Sequence, residues 1–373
     1  MKVKVLLSVI CLTFPLMSGC SAGGDSLTVL VGTYTGGSSN GIYTYRLNTK
    51  DLTAERLSET SISNPSYLTL SPDGKFVYAV SESGAESFVE AFTFDSEKGV
   101  LSRINKVLVS ADPCYIVADP KQRFVATANY SGGNFTFIPL DVDGGLKQSI
   151  NIHSFSGHGA DSIRQAAPHL HCVAVSPDKR AIFATDLGTD RIYKIDLDTR
   201  TGDASKFINP ENISETALEP RSGPRHLIFG RNGRHAYLIN ELSGKVTVFA
   251  VDLSNKLTEL QSITADTCNA HGSADIHLSP DEKFLYASTR LRGDGIVVFR
   301  VQTDGKIERV GYQPTGKHPR NFAITPDGSL MLVACGDAGM IQIFSIDRQT
   351  GALTDTGKSI LIDRPVCIKF ANI

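Results

Sequence analysis

Tryptophan is absent from the 373 residues, methionine occurs four times, and like charges nowhere gather into a block. The missing tryptophan, with no Gly-His…Trp-Asp pattern, removes the signature of WD40-type scaffolds. Charge of either sign is nearly cancelled, with 37 Lys and Arg against 39 Asp and Glu and a formal net charge of −2. Non-specific nucleic-acid binding needs a basic face, so no nucleic-acid partner is expected. Beyond residue 20 no run is apolar enough to cross a bilayer. No long segment carries the 3.6-residue period of an amphipathic helix, which excludes helical bundles and doubly wound α/β folds.

Cysteine is equally uninformative as chemistry. Of seven, Cys11 and Cys20 fall in the N-terminal segment, and the other five (Cys114, Cys172, Cys268, Cys335, Cys367) show no C-x-x-C spacing. That pattern indicates neither a disulfide framework nor a zinc site. Four of the five fall on apolar strands, where cysteine acts as a small hydrophobe.

What is present begins with a targeting segment over residues 1–20. Lys2 and Lys4 make a basic start, Val5 to Leu16 a short apolar core, and Met17-Ser18-Gly19-Cys20 supplies small residues ending on cysteine. The pattern resembles a bacterial lipoprotein signal in which Cys20 is lipidated, with a plain secretory signal as the alternative. Residues 21–26 then form a short tether, and 27–373 form the folded domain. The mature chain is expected in the cell envelope, periplasmic or outer-membrane, or secreted, touching membrane only through a lipid on Cys20.

One phrase recurs along that domain: a turn, a short alternating strand, then a Pro-Asp-Gly type turn. It reads NPSYLTLSPDG from Asn64, DPCYIVADPKQ from Asp112, HLHCVAVSPDK from His169 and GPRHLIFGRNG from Gly223. It returns as GSADIHLSPDE from Gly272, HPRNFAITPDG from His318 and RPVCIKFANI from Arg364. The second residues of these phrases lie at 65, 113, 170, 224, 273, 319 and 365, spaced by 46 to 57 residues, the period of a propeller blade. Two further period-two strands and a more polar fourth follow each of the first six. The seventh phrase ends with the chain, and its partners stand at the other end: LTVLVGTY from Leu27, GIYTYRLN from Gly41 and LTAERLSET from Leu52. The sequence therefore predicts an all-β fold, a seven-bladed propeller of four-stranded antiparallel blades. Its last blade is shared between the two ends, which removes free sheet edges and makes a monomer the default.

Innermost strands line a propeller's channel, so the start of each first strand and the end of each second strand should ring one mouth. The second set, 17 positions after each anchor, reads Glu82, Tyr130, Leu187, Glu241, Arg290 and Gly336. The mouth then collects His169 and His171, Arg225, His226 and Glu241, Asp275 and Arg290, Arg320 and Asn321, and Asn129 with Tyr130. Buried charges are costly unless paired, so such a half-rim reads as a site, with an inter-blade ion-pair network as the bland alternative. Arginines present planar forks to a carboxylate or phosphate, histidine or glutamate can move a proton, and a guanidinium can stabilise an oxyanion. A small anionic lactone or sugar-acid ester suits that set.

Other motifs carry less. Gly37-Ser38-Ser39-Asn40-Gly41 matches G-x-S-x-G but lies in a hairpin loop, whereas a nucleophile elbow needs a strand-to-helix turn. His169-x-His171 could open a metal site with His226, Asp275 or His277, but the neighbouring arginines repel a cation, so no metal and no cofactor is expected. His153, His158, His235 and His318 read as loop or surface residues. The segment from His153 to Ala167 makes the spacing before the third phrase the longest, and it reads either as a lid or as an idle surface loop.

PHLHCVAVSPD, GPRHLIFGRNGRHAYLINEL, SADIHLSPDEKFLYASTR and PRNFAITPDG together resemble the seven-bladed propeller lactonase family, which includes propeller-type 6-phosphogluconolactonase and 3-carboxymuconate lactonising enzyme. The likeness runs from VGTYTGG to the end of the chain. It implies a metal-free pocket at the mouth with a histidine, two arginines and a glutamate, which fall on His171, Arg225, Arg290 and Glu241. His171 or Glu241 would then be the base, and the arginines would hold the anionic group or the oxyanion. The resemblance leaves open lactone hydrolysis, lactonising isomerisation at the same site, or a non-catalytic envelope propeller. An exported chain meets lactones outside the cytoplasm, so the substrate also stays open among sugar and organic-acid lactones.

Overall fold

The computed structural model describes residues 25–371, so the signal segment, Cys11, Cys20 and residues 21–24 of the tether lie outside the described residues, and Ser26, expected in the tether, already belongs to a strand. The described chain forms seven four-stranded antiparallel sheets, six of them running from an inner to an outer strand in sequence order and the seventh taking its inner strand from the C-terminal end. The inner strands begin at the recurring phrases: Leu68–Leu70, Pro113–Ala118, Leu170–Val175, Pro224–Phe229, Ile276–Leu278, Pro319–Ile324 and Pro365–Phe370. They define blades 1 to 7 in that order. Blade 7 joins Pro365–Phe370 to Ser26–Thr33, Gly41–Asn48 and Ala54–Ser61, with Val31 opposite Ile368 and Gly32 opposite Cys367. The ring is closed by its two ends.

The recurring Pro-Asp turn has a local cause. In blade 1 the Ser71 hydroxyl donates to Asp73 at 2.6 Å and accepts from the Phe76 amide at 2.9 Å. Ser176 with Asp178, Ser279 with Asp281, and Thr325 with Asp327 repeat the hydroxyl-to-carboxylate bond at 2.6 to 2.7 Å. Each such turn satisfies its own backbone donors and launches the second strand, as short polar side chains do in tight turns.

Second strands are buried on both faces, as Phe124–Asn129 and Ala181–Asp186 show along their full length. Blades stack face to face, so the apolar core lies between neighbours. Between blades 2 and 3 it contains Phe124, Phe135 and Phe137 against Ile182, Tyr193 and Phe207. Each blade is held by its neighbours and not by a core of its own, which makes closure of the ring part of its stability.

One irregularity decides what the channel contains. In blades 2, 3, 4, 6 and 7 the pairing of inner and second strand slips by one residue at the start: Pro113/Tyr115, Leu170/Cys172, Pro224/His226, Pro319/Asn321 and Pro365/Cys367 flank the slip. The extra residues are Cys114, His171, Arg225, Arg320 and Val366. A β-bulge re-aims the side chain of its extra residue, and here it puts two consecutive side chains on the channel side. Arg225 and His226 consequently touch, with Nη1 to Nε2 at 3.2 Å.

Candidate active site

The mouth is fixed by backbone before any side chain acts. The amides of Tyr130, Leu187, Glu241 and Gly336 donate to the carbonyls of Asp112, His169, Gly223 and His318 at 2.7 to 3.0 Å. These residues lie one position beyond the second strands, which end at Asn129, Asp186, Asn240 and Cys335. Asp112, Gly223 and His318 have left-handed φ of 53°, 61° and 63°, which turns the chain sharply into the inner strand. At Gly223 only glycine suits: a Cβ would lie 2.4 Å from Leu242 Cγ.

Glu241 is the hub. It is 6% exposed, and Oε2 accepts from Arg225 Nε at 2.8 Å, with Arg290 Nη2 at 3.6 Å and His171 Nε2 at 3.9 Å. Its other oxygen accepts from Arg164 Nη2 at 2.7 Å. Burial alone would raise its carboxyl, but Arg290, Arg225 and Arg164 outweigh that and hold it at about 2. Arg225, 1% exposed, also donates to the Ala274 carbonyl. Arg290 donates to the Gly272 carbonyl at 2.7 Å, and its Nη1 meets His318 Nε2 at 2.9 Å. Burial and the neighbouring Arg225 push Arg290 down to about 9.

His171 is sealed beside this hub, its Nδ1 3.6 Å from Cys114 Sγ. Burial, with the neighbouring charges of Arg225 and Arg320, pushes its imidazole well below the ordinary 6.5, so it is neutral at neutral pH. Arg320 differs from the other arginines. Its guanidinium lies over the Tyr34 ring at 5.6 Å, and among the described residues it makes neither hydrogen bond nor ion pair. Tyr34 itself donates to Glu82 at 3.0 Å. Burial opposes the Arg320 charge, but the Tyr34 and Glu82 pair outweighs it and the guanidinium pKa is raised.

Beneath the hub a second tier plugs the channel. His226 Nδ1 and His277 Nε2 flank Asp275 at 2.8 and 3.0 Å, and Asn321 Nδ2 and the Phe322 amide donate to the same carboxylate. Burial would raise Asp275, but His277 and His226 hold it well below the carboxylate range. Burial and Arg225 push His226 down to about 4. Tyr67 and Tyr115 stack at 4.1 Å against the edge of His226. This tier ties blades 4, 5, 6 and 7 together, since Asn321 Oδ1 accepts from the Ile368 amide at 2.7 Å.

The structure therefore brings His171, Arg225, Glu241, Arg290 and Arg320 to one cup, with His169 at its rim, stacked on Tyr130 at 4.4 Å. His226, Asp275 and Asn321 form its floor rather than its wall. Asn129 is not at the mouth. It is fully buried inside blade 2, where it donates to Asn134 and Thr136 at 2.7 and 2.8 Å and accepts from Thr127. Asn240, at the same register position in blade 4, ties its own hairpin in the same way, so this position serves the blade. His318 is not a free loop residue, because its left-handed turn lays the ring against Arg290.

Sequence reasoning missed Tyr34 and Arg164. Arg164 comes from the long segment before blade 3, which has no place in the repeat; its unusual length is the signal. That segment is braced. Gln165 is fully buried and donates to the Leu187 carbonyl and Asp190 at 2.9 and 2.8 Å, Phe155 stacks on Tyr193 at 3.7 Å, and a Cβ on Gly188 would sit 1.9 Å from the Ala167 carbonyl oxygen.

Comparison with known proteins adds to this geometry. A family model described as "Lactonase, 7-bladed beta-propeller" matches residues 28–370. A 6-phosphogluconolactonase of Formosa agariphila is 37% identical over 332 residues, covering 87% of this chain and 93% of the relative. A 6-phosphogluconolactonase of Bacillus subtilis is 31% identical over 353 residues, covering 92% and 97%. A solved structure from Bacteroides fragilis superposes with a TM-score of 0.89 at 48% identity, covering 94% of this chain and 99% of that one. The periplasmic gluconolactonase of Pseudomonas aeruginosa superposes with a TM-score of 0.87 at 31% identity, covering 93% and 99%.

Proposed function

Since this chain belongs to the seven-bladed β-propeller lactonase family, we propose that it hydrolyses a sugar or organic-acid lactone in the cup, with His171 as base and Arg320 as the principal oxyanion donor. The observation that carries this division is the presence, in one cup, of a neutral buried histidine and of a guanidinium that makes no hydrogen bond or ion pair among the described residues, only a stack on Tyr34.

Glu241 is the weaker candidate for the base. Both of its oxygens are already occupied by arginines, Oε2 by Arg225 at 2.8 Å and Oε1 by Arg164 at 2.7 Å, so neither is free to take a proton from water. His171 is already in the proton-accepting form. As water attacks the lactone carbonyl, His171 takes its proton, and the new imidazolium lies 3.9 Å from the Glu241 carboxylate, which stabilises it. The carbonyl oxygen becomes negative and is met by Arg320, whose donors need not leave another partner. Arg225 and Arg290 keep Glu241 in place and add to the positive field. Collapse breaks the bond to the ring oxygen, the imidazolium returns its proton to that oxygen, and an open hydroxy acid leaves.

A pH-stat assay on glucono-δ-lactone and related lactones tests this. His171→Ala should lose about 10²- to 10⁴-fold in kcat and Arg320→Ala about 10²- to 10³-fold. No opening above the spontaneous rate, or full activity in His171→Ala, would sink the reading. The basic, apolar, small-residue pattern ending at Cys20 supports export and lipidation. Mass spectrometry should find a lipid on Cys20 of the mature chain, and an unmodified N-terminus contradicts it.

A further inference from the structure

Resting on that reading of the cup, one residue at its edge stands apart. Arg225 and Arg290 are wedged into the channel wall, 1% and 5% exposed, and each spends several donors on carbonyls or histidines. Arg164 has a side chain 37% exposed. It engages the protein through Nη2 alone, to Glu241 at 2.7 Å and to the Tyr130 hydroxyl at 3.4 Å.

Its root, by contrast, is rigid. The amides of Ile163 and Arg164 both donate to Asp161 at 3.0 Å, and the buried Gln165 accepts from the Asp161 amide at 3.0 Å while anchoring the turn to blade 3. A fixed root with a loosely engaged head is an arm that can change partners without moving the backbone. When the arm leaves, Glu241 keeps Arg225 and Arg290 at Oε2 and gives up the Arg164 bond at Oε1, so the exchange trades that one bond for a bond to the incoming group.

On its outer side Arg164 borders a cavity of about 440 Å³ whose wall also carries Arg221, Lys245 and His271, with Asp161 and Glu219. Glu219 is already paired with Lys245 at 3.0 Å, and Asp161 is occupied by the turn amides. The cationic groups left facing the cavity are Arg164 and Arg221.

We propose that Arg164, which lines this side cavity while bonded to Glu241 of the cup, is a specificity-determining residue that receives an oxyanion substituent of the lactone, a phosphate or carboxylate remote from the ring carbonyl. The arm swings its free donors from Glu241 to the substituent and keeps the carbonyl over His171. Lactones lacking such a group bind without that anchor.

The test compares wild type and Arg164→Ala on 6-phosphoglucono-δ-lactone, a carboxylate-bearing glucarolactone and uncharged glucono-δ-lactone. The kcat/KM ratio of charged to uncharged substrate should fall by roughly 10- to 100-fold, the range of a charge-assisted hydrogen bond, through KM more than kcat. Loss on one charged lactone alone identifies phosphate or carboxylate as the group received. Equal losses on all three would show that Arg164 acts only through Glu241 and would overturn the proposal. Arg164→Gln with an unchanged melting temperature guards against a folding defect. If wild type opens none of these lactones, the hydrolase reading fails separately. Calorimetric binding of 6-phosphogluconate then still decides: tenfold or greater weakening in Arg164→Ala supports the arm, and unchanged affinity rejects it.

Discussion

Replacing Glu241 by glutamine removes one negative charge and almost no volume, so it isolates what that charge does for the mouth. The carboxyl is held at about 2 against an ordinary 4.5. At 1.36 kcal/mol per pH unit, that gap corresponds to about 3 kcal/mol of folding stability at pH 7, close to the ~3–5 kcal/mol lost when one partner of a buried ion pair is removed. The gain is not the cluster's net worth, because Arg290 is itself pushed down to about 9; the carboxylate offsets the burial of its cations. A group depressed in the folded state contributes fully above its unfolded value and loses its contribution as pH falls towards its folded one. Wild type and Glu241→Gln should therefore differ by about 3 kcal/mol at pH 7, roughly 4 °C in melting temperature for a chain this long. The difference should shrink as pH drops from 4.5 towards 2. Differential scanning calorimetry at pH 7 and near pH 3.5 measures both. A variant melting within a degree of wild type at pH 7, or a gap that widens in acid, refutes the hub.

Two further outcomes follow from the same geometry. Because burial and neighbouring cations keep His171 neutral well below 6.5, kcat/KM should stay flat as pH falls through 6.5, with its acid limb lower; half-loss near 6.5 in a pH–rate profile assigns the base elsewhere. Gly223→Ala places a Cβ 2.4 Å from Leu242 Cγ at a φ of 61°, which should cost about 2 to 4 kcal/mol and depress kcat by shifting Glu241; chemical denaturation within 0.5 kcal/mol of wild type contradicts it.

The ring itself was open to reading because its cause is local and repeated. A hydroxyl or carboxylate two residues apart closes the same turn in blade after blade, and the alternating strand that follows must bury both faces. The shared seventh blade follows from counting strands at the two ends. What the repeat cannot show is where pairing slips. A β-bulge inserts one residue without altering the alternating pattern visible in sequence, yet it decides that Arg225 and His226 share the channel while Asn129, close by in the same register, turns into its own blade. Reading the strands as regular put all of these at one level. The bulged residues His171, Arg225 and Arg320 form an upper tier that faces the cup, while His226 and Asn321, each following a bulged residue, join Asp275 of the unbulged blade 5 in a lower tier that seals it.

That separation changes what the charges mean. An inter-blade ion-pair network and the proposed site need not compete in this molecule, because they occupy successive layers of the same channel. The lower tier is the network: Asp275 takes bonds from blades 4 and 6 as well as its own, and every polar atom on it is spoken for. The upper tier is deliberately unfinished, with Arg320 unpartnered and Arg164 half engaged. Arg320 is half-buried and not sealed, so its free donors stay open to an incoming anion while the floor beneath is fully bonded.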